Sequence, residues 1–238
     1  MEIHDLHEWE VSPAQARQIQ LELRQQVRIE SPLDLEGVRS VAGVDNAYLK
    51  RGAVTVGFAV VALFSFPELE LLETQFARCD IGFPYIPGLL TFREGLPILA
   101  ACRKLTRTPD LFIFDGQGYA HPVRFGLASH LGLLLGQASL GCAKSRLVGN
   151  FTEPGRDFGA AAPLVDGENG EVIGAALRTH PPYKPVFVSP GHKCDLSSAV
   201  EIVLGCCRLK SRLPEPARLA HRLVTEQRRA YAARNYGV

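Results

Sequence analysis

No two cysteines of this sequence form a CxxC pair, and none of their spacings is that of a zinc site. The six present, Cys79, Cys102, Cys142, Cys194, Cys206 and Cys207, read as reduced thiols, since the adjacent Cys206 and Cys207 are poorly placed to bridge each other. That usage points to a cytoplasmic protein, not a disulfide-stapled secreted one. Long hydrophobic runs are also missing. Stretches such as Val54 to Phe66 are too short or too interrupted for the roughly 20 residues of a membrane span, so no membrane partner is expected. The N-terminal MEIHDLHEWE is acidic and polar, which argues against a signal peptide. Internal repeats and low-complexity tracts are absent. No GxGxxG surrounds Gly116 and Gly118, so a nucleotide loop of that kind is not indicated. Net charge is only +1, which by itself neither favours nor excludes nucleic acid.

What is present is unevenly spread. Residues 1–90 hold 7 Lys/Arg and 13 Asp/Glu, whereas residues 208–238 hold 8 and 2. Such a basic end could track a phosphate backbone. A solvated helix face is the plainer reading of charge alone. With 238 residues and 46% apolar content, the chain fits one domain over residues 1–238, with a core large enough to need no disulfides.

Ser12-Pro13 has the residues of a helix start, and a Gln-rich helix should run to about Val27. Val38–Leu49, Ala53–Phe66 and Leu69–Cys79 read as three strands separated by short polar breaks, hence an antiparallel meander. Ile98, Leu99, Cys102 and Leu105 then recur at helical spacing. Leu111–Phe114, LFIF, is wholly apolar, as strands buried on both faces of a parallel sheet are. Arg124–Leu135 reads as a helix, Ala138–Cys142 as a strand, 150–170 as loop, and Val172–Leu177 and Pro185–Val188 as strands. Asp195 should cap an amphipathic helix with Leu196, Ala199, Val200, Val203, Leu204 and Cys207 on one stripe. The sum is an α/β fold: three antiparallel strands, then parallel strands, in a mixed sheet with helices on both faces.

Three acids stand where chemistry would need them. Asp45 shares a strand face with the small residues Gly43 and Ala47. Asp115 follows the LFIF strand and opens DGQGYAH, and ligands of α/β sheets bind beyond strand carboxyl ends. Glu94 precedes that strand. Converging carboxylates without thiols suit a hard cation, Mg²⁺ or Mn²⁺, and metal-assisted attack of water on a phosphodiester. Lys144, just past Ala138–Cys142, could stabilise phosphate charge. Each residue also has a plainer reading. Asp45 could bond backbone amides, and Asp115-Gly116 is a common turn. Lys144 could simply be solvated, and His121 and His130 fit structural roles. Thr91-x-x-Glu94 matches a capping box, although Pro97 would then fall inside the helix at a cost of roughly 3 kcal/mol. A helix starting nearer Pro97 would leave Glu94 free.

Longer motifs narrow the choice. VAGVD, PYIPG followed by FRE, DGQGYAHP, GCAKSRL, PGH and RLPEPARLAH resemble, nearly end to end, the motifs of the endonuclease V family of inosine-specific repair nucleases. The resemblance implies an RNase H-like fold. It also implies metal binding by Asp45, Glu94 and Asp115, phosphate stabilisation by Lys144 and a histidine near the metal at His221, otherwise a surface histidine of a basic helix. A lesion-base pocket maps to Gly88, Leu90, Gly116 and Gly118. One departure is Gln117, where family members often have His.

The resemblance makes Pro84-Tyr85-Ile86-Pro87-Gly88 a DNA-binding wedge. A deaminated adenine must leave the stack to be read, which costs a few kcal/mol. An inserted aromatic ring restores stacking. Pro84 and Pro87 stiffen the segment, and Gly88 lets the chain turn against the base. The expected protein is a monomeric Mg²⁺-dependent endonuclease, with Mn²⁺ able to substitute, that nicks DNA at the second phosphodiester bond 3′ to deoxyinosine. The alternatives are an inosine-specific ribonuclease and an inactive nucleic-acid binding module, against which the presence of all three carboxylates argues.

Overall fold

The computed structural model describes residues 1–52, 54–208 and 211–236. Ala53, the expected start of the second strand, and Lys210 of the basic end lie outside them. The first helix, α1 (Pro13–Leu23), starts where its sequence suggests: the Ser12 hydroxyl accepts from Gln15 N, and Gln15 reaches back to the Ser12 amide. A 3-10 turn, Arg24–Gln26, ends it.

β1 (Ser40–Arg51), β2 (Val54–Ser65) and β3 (Leu71–Asp80) form the antiparallel meander. β4 (Leu111–Phe114) and β5 (Ala138–Ala143) add to β1 in parallel, and every residue of both is buried. Beyond them lie β6 (Ala161–Val165), β7 (Val172–Leu177) and β8 (Val186–Pro190). The eight strands form one sheet in the order β3-β2-β1-β4-β5-β8-β7-β6. The second half is not parallel throughout. β8 runs antiparallel to β5, and β6, β7 and β8 form a second meander.

The two faces of β1 carry different helices. Ala42 and Val44 pack under α2 (Leu90–Cys102) and α3 (Leu127–Leu135). Val41, with Leu111 and Ile113, packs under α4 (Leu196–Gly205) and α5 (Glu215–Tyr236). Asp195 caps α4 by accepting from Ser198 N. Helices therefore cover both faces, as the apolar β4 requires.

Local boundaries moved where tertiary packing overrode sequence signals. α2 begins at Leu90, not nearer Pro97, with Leu89 at its N-cap. Thr91 is thus inside the helix, and no Thr91–Glu94 capping box forms. Pro97 sits in the helix interior, buried, with its ring close to Gly57 of β2. Apolar burial offsets the lost helical hydrogen bond. α3 starts at Leu127, not Arg124, because Arg124 adopts φ 58° in the preceding turn. β6 falls in the expected loop 150–170. It contains Pro163, which a sheet tolerates at its edge.

Candidate active site

The carboxylates are placed by strand register. β1 and β4 pair in parallel up to Val44↔Phe114, and Asp115 N donates to Val44 O at 3.1 Å. The next residue on each strand is an aspartate, so Asp45 and Asp115 stand side by side where β4 ends. α5 supplies the third member. A Cβ on Gly43 would lie 2.2 Å from the backbone of Pro216, so only glycine lets the start of α5 settle on this face of β1. One and a half turns later His221 arrives over Asp45, with Nδ1 2.6 Å from Asp45 Oδ2. Ligand atoms of Asp45, Asp115 and His221 all lie within 4.8 Å of one another.

Lys144, one residue past β5, forms an ion pair with Asp115 Oδ2. Its Nζ is also 3.2 Å from His221 Nδ1. That ring nitrogen can donate to Asp45 or accept from Lys144, but not both, so the proton on His221 is shared business between the two sides of the site. Lys144 is therefore not simply solvated. Asp45 also takes the amide of Asn46 at 2.7 Å, so its plainer role coexists with the cluster.

Glu94 does not join the tight group. It projects from α2, on the sheet face opposite α5, and accepts from Asn46 Nδ2 at 2.5 Å. Asn46 alternates with Asp45 on β1, which is why it meets the other face. The expected convergence of three acids is thus met in contact by two. Glu94 remains in their field. Burial first, with the charges of Asp45 and Asp115, holds its carboxyl up at about 7 against the hydrogen bonds it accepts, which pull it down. Burial first, and the Asp115 charge second, raise Asp45 to about 6. Two carboxyls so placed resist ionisation unless positive charge joins them. Oxygen donors with one imidazole and no thiol fit a hard divalent cation.

Beside the acids opens a cavity of about 340 Å³. Gly88, Leu90 and Gly116 line it, as expected for the base pocket, whereas Gly118 does not. Gly118 is packed on β8 instead, where a Cβ would come 2.0 Å from Pro190 O. Gln117 lines the cavity, almost buried, and donates to Ser145 O at 2.9 Å.

Tyr85, Ile86 and Pro87 also border the cavity. Tyr85 is 69% exposed and so is no part of the core. Its support is rigid. Phe83 is buried against Leu89 and Phe92, and Ile86 packs partly on them. Gly88, at φ 83°, turns its carbonyl toward two donors, Gln20 Nε2 at 2.8 Å and His121 Nε2 at 3.1 Å. Burial pushes His121 down to about 4, so it serves as a neutral strut. Asn46 and Gln20 were not singled out in the sequence. Adjacency to Asp45 was a signal for Asn46; Gln20, one of several glutamines in α1, carried none.

A profile of the Endonuclease V family matches residues 21–222. The endonuclease V of Methanothrix thermoacetophila is 49% identical over 229 residues, 96% of this chain and 98% of that protein. The crystal structure of the Bacillus subtilis enzyme superposes with a TM-score of 0.94 at 32% identity, covering 99% of this chain and all of that one. Ciona intestinalis endonuclease V, solved with a 24mer DNA containing an inosine followed by a ribo-adenosine, matches with a TM-score of 0.78 at 29% identity, over 92% of this chain and 98% of that one. By sequence and by fold, the chain belongs to the endonuclease V family.

Proposed function

We propose that this chain is a repair nuclease that hydrolyses the second phosphodiester bond 3′ to deoxyinosine, with Mg²⁺ as its metal and Mn²⁺ able to replace it. The observation that carries this reading is the juxtaposition of the Asp45–Asp115–His221 cluster with a cavity whose rim bears the exposed Tyr85. The Ciona relative's bound DNA supports inosine as the lesion and DNA as the substrate. Asp45, Asp115 and Glu94 are the carboxylates that would hold the cation. When bound, it would supply an activated water and neutralise charge on the scissile phosphate. The P–O3′ bond breaks as the new P–O bond forms, leaving a 3′-hydroxyl and a 5′-phosphate.

The chain's own groups do the rest. Lys144 sets a positive charge beside Asp115 where phosphate oxygens would lie. His221 Nδ1, between Asp45 and Lys144, can hold or pass a proton at the reaction centre. Tyr85 fills the gap left by the extruded base, which enters the cavity against Gly88, Leu90 and Gly116. Hypoxanthine lacks guanine's exocyclic amine, so close-packed backbone would exclude guanine by size. The chain is read as a monomer of one domain. Among the described residues no helix is long and apolar enough to cross a membrane. The direct test compares cleavage of inosine-containing and matched unmodified DNA, with Mg²⁺ and with EDTA, and of inosine-containing RNA. Cleavage of inosine DNA in EDTA, or equal cleavage of unmodified DNA, would overturn the reading.

Glu94→Gln separates the metal role from a structural one. The amide can still accept from Asn46, and Leu89, not Thr91, is the N-cap, so α2 should be undisturbed. Activity is expected to fall about a hundredfold or more, roughly 3 kcal/mol of transition-state stabilisation. Thermal stability should hold or rise, because a buried carboxyl at about 7 burdens the folded state at neutral pH. Wild-type activity in this variant would remove Glu94 from the chemistry.

Metal binding should also register without catalysis. Folded Asp45 and Glu94 have pKa values raised from 3.8 to about 6 and from 4.5 to about 7. Between about pH 4 and pH 7 the folded state keeps protons that the unfolded chain has lost, so these groups subtract stability as pH rises. A cation held by the ionised carboxylates restores it. The rise in Tm on adding Mg²⁺ should therefore be larger at pH 8 than at pH 5. Comparing each pH with and without metal cancels the opposite contribution of the buried histidines His121 and His192, both pushed down to about 4 by burial. An equal rise at both pH values would contradict the assignment.

A further inference from the structure

The chain contains a second exposed tyrosine among prolines. Pro181-Pro182-Tyr183-Lys184-Pro185 echoes Pro84-Tyr85-Ile86-Pro87, and Tyr183 is 43% exposed. Tyr85 lines the cavity already described, and Tyr183 lines a separate, shallower depression of about 550 Å³. Lys144 borders both, so the reaction centre stands between them. The second depression also has His221, Arg212 and Arg218 on its walls. Arg218 is paired to Glu215. Arg212 bridges the loops by donating to Lys144 O and Pro185 O, and it forms no ion pair within 4 Å among the described residues, although the charge of Asp115 acts on it. A depression edged by an aromatic ring and a guanidinium held by carbonyls, not by a carboxylate contact, is suited to a nucleotide.

The polarity of the strand says which nucleotide. On the reading above, the extruded base fills the Tyr85 cavity and the cut falls one nucleotide beyond it. The strand then runs from that cavity across the acids and leaves on the far side of Lys144, toward Tyr183. We propose that this depression is the subsite for the nucleotide immediately 3′ of the scissile bond, with Tyr183 stacking on its base and Arg212 beside its phosphate. The inference rests on that reading for the identity of the nucleotide. It gives the segment around residues 178–186 a role in holding the 5′-phosphorylated product strand.

Binding of a product-like strand tests it. The probe is a single-stranded DNA with a 5′-phosphate, compared with the same strand lacking only its first base, each titrated against the full chain with Mg²⁺ by fluorescence anisotropy. Wild type should bind the base-bearing strand about tenfold more tightly. Tyr183→Ala should bind both strands equally, at the weaker level, and Tyr183→Phe should keep the preference. The Tm of each variant should match wild type, as befits an exposed side chain. No preference in wild type, or an undiminished preference in Tyr183→Ala, overturns the subsite. Wild-type cleavage of inosine against adenine strands is measured in parallel. If lesion-directed cleavage is found and the preference is not, the subsite alone falls. If the preference is found without lesion-directed cleavage, the stacking site at Tyr183 stands, while the lesion reading and the identity of the nucleotide it assigned both fall.

Discussion

Asp115→Ala should lower the single-turnover cleavage rate of an inosine-containing strand by roughly a thousandfold or more, about 4 kcal/mol of transition-state stabilisation. The side chain is held at the carboxyl end of β4, beside Asp45 and in an ion pair with Lys144. Its removal takes away one of the two adjacent carboxylates and leaves Lys144 without its anchor. Fold stability should change little. Asp115 contributes repulsion to Asp45, and losing it relieves that carboxyl, which offsets the lost ion pair. Lesion binding should persist, because Tyr85 and the Gly88 turn are untouched. Cleavage measured at saturating enzyme with Mg²⁺, alongside thermal unfolding, decides it. A rate near wild type with Mg²⁺ would end the metal assignment, and a large drop in Tm would make the loss of activity structural.

Tyr85→Ala should act on selection more than on chemistry. One stacking contact is worth roughly 1–3 kcal/mol, comparable to the unstacking that base extrusion requires. Affinity for an inosine duplex should therefore fall about 5- to 150-fold. Affinity for an inosine single strand, where little needs unstacking, should fall much less. Tyr85→Phe should behave nearly as wild type, because the ring face does the stacking. At 69% exposure the ring adds little to folding, so Tm should stay constant. Equal losses for duplex and single strand, or the several kcal/mol of destabilisation typical of a deleted buried aromatic, would refute the wedge.

The parts of this fold that were legible in sequence are those written in local pattern. The LFIF run announced a strand buried on both faces, Ser12 and Asp195 announced helix starts, and the polar break after Phe66 fell between β2 and β3, whereas β1 runs on through the expected break at Lys50 and Arg51. Pairing partners were less legible. β8 is as apolar as a parallel strand would be, yet it enters antiparallel between β5 and β7, a choice made by chain connection and not by composition. The site divides in the same way. Asp45 and Asp115 could be placed by strand geometry, and Lys144 by its position after β5. His221 could not, because nothing local on a basic helix tells that its first turn rests on a glycine of β1. Glu94 was singled out as a third ligand, but its separation from the pair follows from the face on which α2 packs, which no spacing encodes.

The seat of α5 on Gly43 has a consequence for how the enzyme comes into being. Asp45 and His221 are 176 positions apart, so their cluster closes only when α5 docks on β1. A chain still emerging from the ribosome possesses both aspartates early but lacks the imidazole, and the strand carrying Asp45 has one face bare of Ala217, Ala220 and Val224. A molecule in which α5 has not docked therefore holds the two aspartates without the imidazole that completes their cluster.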